Sequence, residues 1–174
     1  MKEISMNAAI ELCSPHSYSL VVTCDKQGRP NAMGAAWWTF TSLRPPMLGV
    51  LIGKMRYTHD NLEAGKEFVL CLPSEEQAKA AWLCGTKSGR RIDKLTEAGL
   101  RTTPSKAVMP PTIDGATVAF ECKVVGQMEC GEYTMYNGEI VAIHGDPGRA
   151  KHLYTIHYRK MVSIDYLGHA NWDI

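Results

Sequence analysis

A run of alternating side chains at residues 115–125 constrains the fold more than any other part of this sequence. In an extended strand, successive side chains point to opposite faces of a sheet. One face of such a strand would carry four apolar side chains: Val118, Phe120, Cys122 and Val124. A glycine-containing connection at 126–131 then leads into a second strand-like segment at 133–144, so the sequence predicts an antiparallel pair of strands.

Further segments are suited to strands, and no long helical pattern separates them. They span residues 17–24, 31–42, 47–52 and 66–72, and the segment 161–166 adds a last strand. Gly28 and Pro30 favour a tight turn between the first two segments. Pro45 and Pro46 end the second segment because proline cannot donate to a sheet. This order predicts a mainly β protein, with an antiparallel sheet that closes into a barrel and short peripheral helices.

Short helices are predicted over residues 59–64, 75–84 and 148–154, with a further helical segment ending at Gly99. Thr58 is a suitable N-cap for the first helix, and Gly65 is a suitable stop. Ser74 begins the pattern S-x-x-Q, which is typical of a capping box at the start of the second helix.

The composition indicates a single domain. The chain has 174 residues, of which 45% are hydrophobic, and we predict that residues 1–174 form one unit. The formal net charge of +1 gives no indication of a partner such as nucleic acid or an acidic membrane. The apolar run at 47–53 is too short to span a bilayer, and the N-terminal segment lacks the apolar stretch of a signal peptide. We therefore expect a soluble cytoplasmic protein.

The cysteines and histidines do not form patterns that bind metals. The six cysteines are scattered and no C-x-x-C occurs, so free and mostly buried thiols are expected. His152 and His157 are five residues apart, which does not place both on one face of a helix. The segment Gly85-Thr86-Lys87-Ser88 lacks the upstream glycine of a phosphate-binding loop and follows a predicted helix. These residues predict neither a metal site nor a catalytic side chain.

The segment after the 47–52 strand carries groups that suit an anion. Lys54 and Arg56 supply positive charge. Tyr57 and Thr58 supply hydroxyl donors next to a predicted helix start, where unpaired N–H groups and a partial positive charge add to the effect. The alternative is an ordinary capped helix with solvated basic neighbours.

Two adjacent tryptophans, Trp37 and Trp38, lie in the 31–42 strand. Adjacent residues of a strand face opposite sides, so at most one of them can stack on a given ligand. The alternative places one in the core and the other at a subunit interface. Beside them are the small residues Ala32, Gly34, Ala35 and Ala36, which let another group approach the backbone closely.

An ordered series of short motifs runs through about residues 15–145. It comprises Asn31, Met33, Ala35-Ala36-Trp37, Arg44-Pro45-Pro46, Lys54, Tyr57-Thr58, Asn61-Leu62, Val69, Pro73-Ser74-Glu75, Ser88-Gly89, Asp93-Lys94, Gly99-Leu100, Glu121-Cys122 and Asn137-Gly138-Glu139-Ile140. This series resembles the flavin reductase-like family, and within it the flavoredoxin branch. Each motif is short, but their order is specific.

The resemblance implies an FMN-binding split β-barrel, antiparallel and Greek-key-like, that forms a homodimer. It implies contacts along the isoalloxazine ring, through backbone groups and hydroxyls, from Ala35, Ala36, Trp37, Trp38, Thr39, Thr41 and Ser42. It implies further contacts with the ring and the ribityl chain from Leu51, Ile52, Gly53 and Lys54. The phosphate would be faced by Arg56, Tyr57 and Thr58. In such a site the flavin carries the chemistry, while the protein sets its orientation and potential.

The stretch Gly131-Glu132-Tyr133 departs from the family pattern. Flavin reductases of this family commonly carry Gly-Asp-His there, and the histidine is associated with the nicotinamide site. A tyrosine does not titrate near neutral pH as histidine does. Three functions stay open: a reductase that uses NADH or NADPH, a flavoredoxin-type carrier that receives electrons from a redox protein partner, and a non-redox ligand-binding module on the same barrel.

Overall fold

Antiparallel strands make up most of the molecule. The computed structural model describes residues 1–148, 151–156 and 160–165. Its strands are β1 (His16–Ser17), β2 (Ser19–Cys24), β3 (Pro30–Ala35), β4 (Trp38–Leu43), β5 (Pro46–Gly53), β6 (Glu67–Leu72), β7 (Thr102–Thr103), β8 (Thr112–Ile113), β9 (Val118–Cys130), β10 (Tyr133–Gly145), β11 (Lys151–Ile156) and β12 (Lys160–Asp165). Its helices are α1 (Met6–Leu12), α2 (Tyr57–Gly65), α3 (Ala78–Thr86), which follows a 3-10 turn at Glu75–Gln77, and α4 (Lys94–Glu97).

Seven of these strands form one sheet in the order β3-β2-β6-β9-β10-β5-β4. Two small sheets, β1-β11-β12 and β7-β8, accompany it. The strand pairings in the described part of the chain are antiparallel. The prediction of a mainly β, antiparallel barrel with short peripheral helices is therefore confirmed.

The two edge strands of the large sheet, β3 and β4, are consecutive in the sequence. They are joined by only two residues, Ala36 and Trp37, so the sheet curls and its two edges come together at this link. The Leu51 N–H on β5 donates a hydrogen bond of 3.0 Å to the Trp37 carbonyl, which extends the β4–β5 ladder into the junction. We call the junction the seam of the barrel. The single strand predicted over residues 31–42 is wrong in this respect, because the chain leaves one edge of the sheet and joins the other at Ala36.

The hairpin of β9 and β10 confirms the predicted antiparallel pair. Its turn contains Gly131 at φ +61°, a left-handed conformation that glycine adopts without steric cost. At the base of the hairpin both faces of β9 are buried. Phe120 and Cys122 belong to the inner core of the barrel, whereas Ala119 belongs to an outer core.

The outer core lies between the sheet and the helices. Leu20 and Val22 of β2 are fully buried there, in one cluster with Ala81 of α3 and Leu95 of α4. All six residues of β2 are buried, as expected for a strand that is covered on both faces. This packing fixes α3 and α4 against the β2–β3 side of the barrel, next to the seam.

Helix α2 begins two residues earlier than predicted and has a different N-cap. The cap is Arg56, so the assignment of Thr58 as N-cap is wrong. Thr58 lies in the first turn, 1% exposed, and its Oγ1 accepts a hydrogen bond of 3.2 Å from Nδ2 of Asn31. The partner of this hydroxyl is on β3, far away in the sequence, and local capping rules do not account for such a contact. The helix closes after Gly65, where Lys66 adopts φ +54°.

The capping box predicted at Ser74 is present. The Ser74 N–H donates a hydrogen bond of 3.1 Å to Oε1 of Gln77. The helix it starts is a 3-10 turn that continues into α3. Gly99, at φ +65°, follows α4 as predicted.

The helix predicted over residues 148–154 is wrong. Lys151–Ile156 forms the strand β11, which pairs with β1 on one side and β12 on the other. Leu153 and Thr155 are buried in alternation with more exposed neighbours, the pattern of a half-buried strand. The strand depends on pairing with β1, more than a hundred residues away, and no local signal reports that pairing. Strand β12 agrees with the predicted last strand, of which residue 166 lies outside the described residues.

All six cysteines are free thiols and four of them are buried, in agreement with the prediction. Within the residues that the structure describes, no helix has the length and apolar character needed to cross a membrane. Over the same residues, no group of three or more side chains could hold a metal ion.

Candidate functional site

A cavity of about 630 Å³ opens at the seam of the barrel. Its walls are the junction of β3 and β4, the loop between β5 and α2, the connection between α3 and α4, and one side of α1. The volume lies within the range of roughly 300–1,000 Å³ that is typical of small-molecule sites. The closure of the barrel and the packing of α3 on β3 together create this space.

Many of the residues predicted as cofactor contacts lie together in the cavity wall. The lining includes eight of them: Ala35, Ala36, Trp37, Leu51, Gly53, Arg56, Tyr57 and Thr58. They come from three separate elements of the fold, β3 with its junction, β5, and the start of α2. The structure thus brings together two regions of the chain that the sequence motifs linked only by their order.

The other six predicted contacts do not line the cavity: Trp38, Thr39, Thr41, Ser42, Ile52 and Lys54. Ile52 is fully buried in the inner core. Thr41 donates a hydrogen bond of 2.5 Å to Oδ1 of Asn137, and Lys54 forms an ion pair with Glu129. Within this one chain, these side chains are therefore engaged away from the cavity.

The two tryptophans face opposite sides of the seam, as the alternation of a strand requires. Trp37 lines the cavity, where its ring centroid lies 5.2 Å from that of Tyr133. Trp38 packs against the inner core, and its Nε1–H donates to the Ser17 carbonyl at 3.3 Å. Trp37 is thus the tryptophan available to a ligand.

Gly34 has a different role from the one that the sequence suggested. A Cβ atom at this position would lie 1.8 Å from the hydroxyl oxygen of Tyr18 and 2.9 Å from the Cα of Gly85. The absent side chain therefore makes room for Tyr18 and for α3, which packs on β3. Gly34 also lines the cavity, together with Ala35 and Ala36.

The start of α2 forms one end of the cavity. Arg56, Tyr57 and Thr58 line it, and the N-cap makes no side-chain hydrogen bond to the first turn. The hydroxyls of the two predicted phosphate ligands have protein partners: Tyr57 donates to Oδ2 of Asp25 at 3.1 Å, and Thr58 accepts from Asn31. Because Thr58 only accepts in its bond with Asn31, its O–H can still donate to a ligand. This end of the cavity therefore offers an anion the Arg56 guanidinium, the Thr58 hydroxyl and the backbone N–H groups of the first turn.

The connection between α3 and α4 supplies lining residues that the sequence did not single out as ligands. Lys87 and Gly89 are among them, although the segment 85–88 is not a phosphate-binding loop in sequence. Lys94, the first residue of α4, is 4% exposed and its Nζ donates to the Cys84 carbonyl at 3.0 Å. Burial lowers the pKa of Lys94 to about 8, and the nearby charge of Arg56 acts in the same direction. The signal in the sequence that could have identified Lys94 as a site residue is its place in Asp93-Lys94, one of the ordered family motifs.

The cavity wall is electropositive. Its ionisable lining residues include three cations, Arg56, Lys87 and Lys94, and one carboxylate, Glu11 of α1, a formal net charge of +2. A phosphate monoester carries about −1.5 to −2 charges near pH 7. The donor set of the cavity, with an aromatic ring on one wall and cations at one end, therefore fits a planar ligand that bears a phosphate.

Residues 13–164 match the model of the Flavin reductase like domain family. The chain belongs to the flavin reductase-like family. The family predicted from the ordered motifs, including its flavoredoxin branch, is confirmed, and the function is that of a flavin-binding redox protein.

A solved flavoredoxin structure agrees with this assignment, and other proteins are similar to the chain in fold or in sequence. The flavoredoxin of Desulfovibrio vulgaris (Miyazaki F) is 27% identical and superposes with a TM-score of 0.85 over 99% of both chains. Flavoredoxin from Methanosarcina acetivorans is 24% identical, with a TM-score of 0.83 over 99% of this chain and 97% of its own, and shows the same fold. An uncharacterised protein of Archaeoglobus fulgidus is 40% identical over 119 residues, 68% of this chain and 67% of that protein. The chain spans between 55% and 67% of the length of three curated relatives that it matches.

Proposed function

We propose that this chain is an FMN-binding oxidoreductase that passes electrons through the bound flavin to an acceptor. The observation that carries the proposal is the cavity at the seam, which combines Trp37 and small residues on one wall with a formal net charge of +2. Ala35, Ala36 and Trp37 would hold the ring system. Arg56 and the first-turn N–H groups of α2 would hold the phosphate. When bound, the flavin supplies the redox chemistry, and the protein orients it and excludes water.

Tyr133, which lines the cavity, favours a protein donor over a nicotinamide. Tyr133 occupies the place where the family pattern has a histidine, and its ring packs against that of Trp37. A phenol does not exchange protons near neutral pH as an imidazole does. We therefore place the flavoredoxin-type carrier, which receives electrons from a redox protein partner, ahead of direct reduction by NADH or NADPH. A non-redox ligand-binding module is disfavoured, because the chain belongs to the flavin reductase-like family.

The visible spectrum tests both parts of the proposal. The purified protein is expected to show the absorption of oxidised flavin, or to acquire it at one FMN per chain when the cofactor-free protein is titrated. Under anaerobic conditions, dithionite should bleach the flavin band, whereas NADH and NADPH should not. A protein that remains colourless in excess FMN would contradict the flavin proposal. Bleaching by either nicotinamide would instead establish the reductase.

We also propose a homodimer that forms through the edge strand β4. This strand ends the large sheet, and it exposes Phe40 by 51% and Leu43 by 82%. An exposed sheet edge that carries large apolar side chains is a surface that proteins usually cover. A second copy of the chain would cover both the edge and these side chains.

The thiols support a cytoplasmic location. Six free cysteines persist without oxidation in a reducing compartment, whereas exported proteins tend to pair theirs. Cys13 is exposed, so burial would not protect its thiol in an oxidising compartment.

A further inference from the structure

Lys94 is a buried cation without a carboxylate partner in the described part of the chain. It is 4% exposed, and the hydrogen bond found for its Nζ is to the Cys84 carbonyl at 3.0 Å. The neighbouring acid, Asp93, is committed to capping α4, since its carboxylate accepts from the N–H of Thr96 at 3.1 Å and from the hydroxyl of the same residue at 2.8 Å. Two charges act on the pKa of Lys94. A Cys84 thiolate would be an opposite charge, but burial raises the pKa of that thiol above its ordinary value, so it is uncharged near pH 7. Arg56 is positive and lowers the pKa of Lys94.

Such an arrangement is unfavourable for folding. A buried ammonium is costly unless an opposite charge lies near it, and one carbonyl oxygen supplies only part of that compensation. A second cation nearby raises the cost. The hydrogen bond to the Cys84 carbonyl, in the last turn of α3, needs a donor, but it does not need a full charge. The charge is understandable if the opposite charge arrives with a ligand, and Lys94 lines the cavity at the seam together with Arg56.

We propose that the Lys94 ammonium is the buried counter-charge of the flavin phosphate and makes the cavity select phosphorylated over unphosphorylated flavins. The inference rests on the proposed FMN function and adds a residue and a specificity to it. Arg56 is exposed, so solvent and salt screen its charge, whereas the charge of Lys94 acts from within the protein. The ligand class is therefore a phosphate monoester, and riboflavin, which lacks that group, should gain nothing from Lys94.

Selection by a buried lysine couples binding to protonation. Burial lowers the pKa of Lys94 to about 8, and a phosphate next to the ammonium would raise it again, so FMN binding takes up protons around pH 8. The groups around Lys94 do not mimic this titration. Burial raises the pKa of the Cys84 thiol, against the opposing effect of the Lys94 charge, and burial also raises the pKa of Tyr57. Glu11 and Lys87 also line the cavity. An effect of either residue that is equal for the two flavins cancels when the FMN affinity is divided by the riboflavin affinity.

The test compares the dissociation constants of FMN and riboflavin in the full-length protein and in Lys94→Met, by quenching of flavin fluorescence at pH 7. We expect Lys94→Met to weaken FMN by about 10- to 100-fold, the effect of losing a charge-assisted hydrogen bond, and riboflavin by less than about threefold. The melting temperature of the cofactor-free variant should not fall, because an uncompensated buried charge has been removed. Lys123→Met, which removes an exposed lysine on β9 outside the cavity, should change neither dissociation constant.

Two outcomes would overturn the inference without affecting the proposed function: an equal loss of FMN and riboflavin affinity, or an unchanged preference for FMN. A wild-type protein that binds neither flavin would remove the proposed function, and the inference with it. The wild-type protein also supplies a test that needs no variant. Its FMN affinity, divided by its riboflavin affinity, should fall about tenfold between pH 7 and pH 9. A ratio that stays constant over this range would contradict the role of Lys94.

Discussion

The hydroxyl of Tyr18 is held where the main chains of β3 and α3 approach each other. It donates a hydrogen bond of 3.3 Å to the Ala81 carbonyl, and Cβ atoms at Gly34 and Gly85 would lie 1.8 Å and 2.1 Å from it. Two glycines on different elements therefore accommodate one aromatic side chain. Since α3 forms a wall of the cavity, this contact also sets the width of the site.

Replacement of Gly34 by alanine should destabilise the protein by about 1–3 kcal/mol, the usual cost of overpacking a closely packed interior. Chemical denaturation measures the change. Gly126→Ala is the matched control, because a Cβ at that strand position meets no atom within 4 Å. Adding Tyr18→Phe should recover only part of the loss, because the ring atom Cζ at 2.6 Å and the Gly85 Cα remain in the way. A Gly34→Ala variant as stable as wild type would contradict this account of the β3–α3 contact.

At the scale of elements, Glu121 links strand β9 to its surroundings. Its carboxylate is fully buried and accepts hydrogen bonds from the N–H groups of Lys106 at 2.8 Å and Ala107 at 2.6 Å. It also lies 2.6 Å from Nε2 of His144 on β10. Burial by itself raises the pKa of Glu121, but the hydrogen bonds outweigh it and the net pKa lies below the ordinary value. The connection between β7 and β8 is thereby tied to the large sheet.

Stability should therefore depend on this carboxylate at acidic pH. A carboxyl whose pKa is lower in the folded state stabilises the fold above its unfolded pKa, and this contribution is lost as pH falls through the folded value. We expect the denaturation midpoint of wild type to fall between pH 6 and pH 3. Glu121→Gln should be less stable at pH 6 by about 1–3 kcal/mol, because its amide cannot accept from both N–H groups, and its midpoint should vary less with pH.

Glu132→Gln, an exposed change in the β9–β10 turn, is the control for Glu121→Gln and should follow the wild-type pH profile. If Glu121→Gln loses as much stability on acidification as wild type does, the acid sensitivity belongs to other carboxylates.

At the scale of the whole molecule, the path of the large sheet explains the position of the site. The sheet begins and ends with strands that are neighbours in sequence, and the two-residue link between them, Ala36 and Trp37, is the point of closure. A junction between edge strands interrupts the regular ladder of hydrogen bonds, so space opens where the edges meet. The remaining exposed edge of β4 is the surface assigned above to a second copy of the chain.

The dimer proposal predicts that wild type migrates at twice the mass of one chain in size-exclusion chromatography with light scattering. Leu43→Glu should shift it toward the monomer, because it introduces a charge into an apolar contact on the sheet edge. Met109→Glu changes an equally apolar residue, 68% exposed, on a loop and should leave the mass unchanged. A wild-type monomer, or a Leu43→Glu variant that remains a dimer, would contradict the assignment of β4 as the interface.

Local patterns in the sequence predicted the strands well and the site in part. The alternation in β9 and the glycine turn at Gly131 identified the central hairpin, because period-two burial and left-handed turns act within a few residues. Capping at Ser74 was predicted for the same reason. The strand β11 and the partner of Thr58 were missed because both depend on contacts that are distant in the sequence. Strand β11 pairs with β1, near the other end of the chain, and Thr58 accepts its hydrogen bond from Asn31, 27 residues earlier.

What the sequence determined by itself is the family, the antiparallel fold and the residues near the start of α2. The tertiary structure alone decided which side chains share the cavity. Closure of the sheet at Ala36 and Trp37 turned one tryptophan toward the site and the other toward the core. Packing of α3 and α4 on β2 and β3 buried Lys94 beside Arg56. Both outcomes depend on contacts between segments that are far apart in the chain. Local side-chain patterns do not show which distant segments will come into contact.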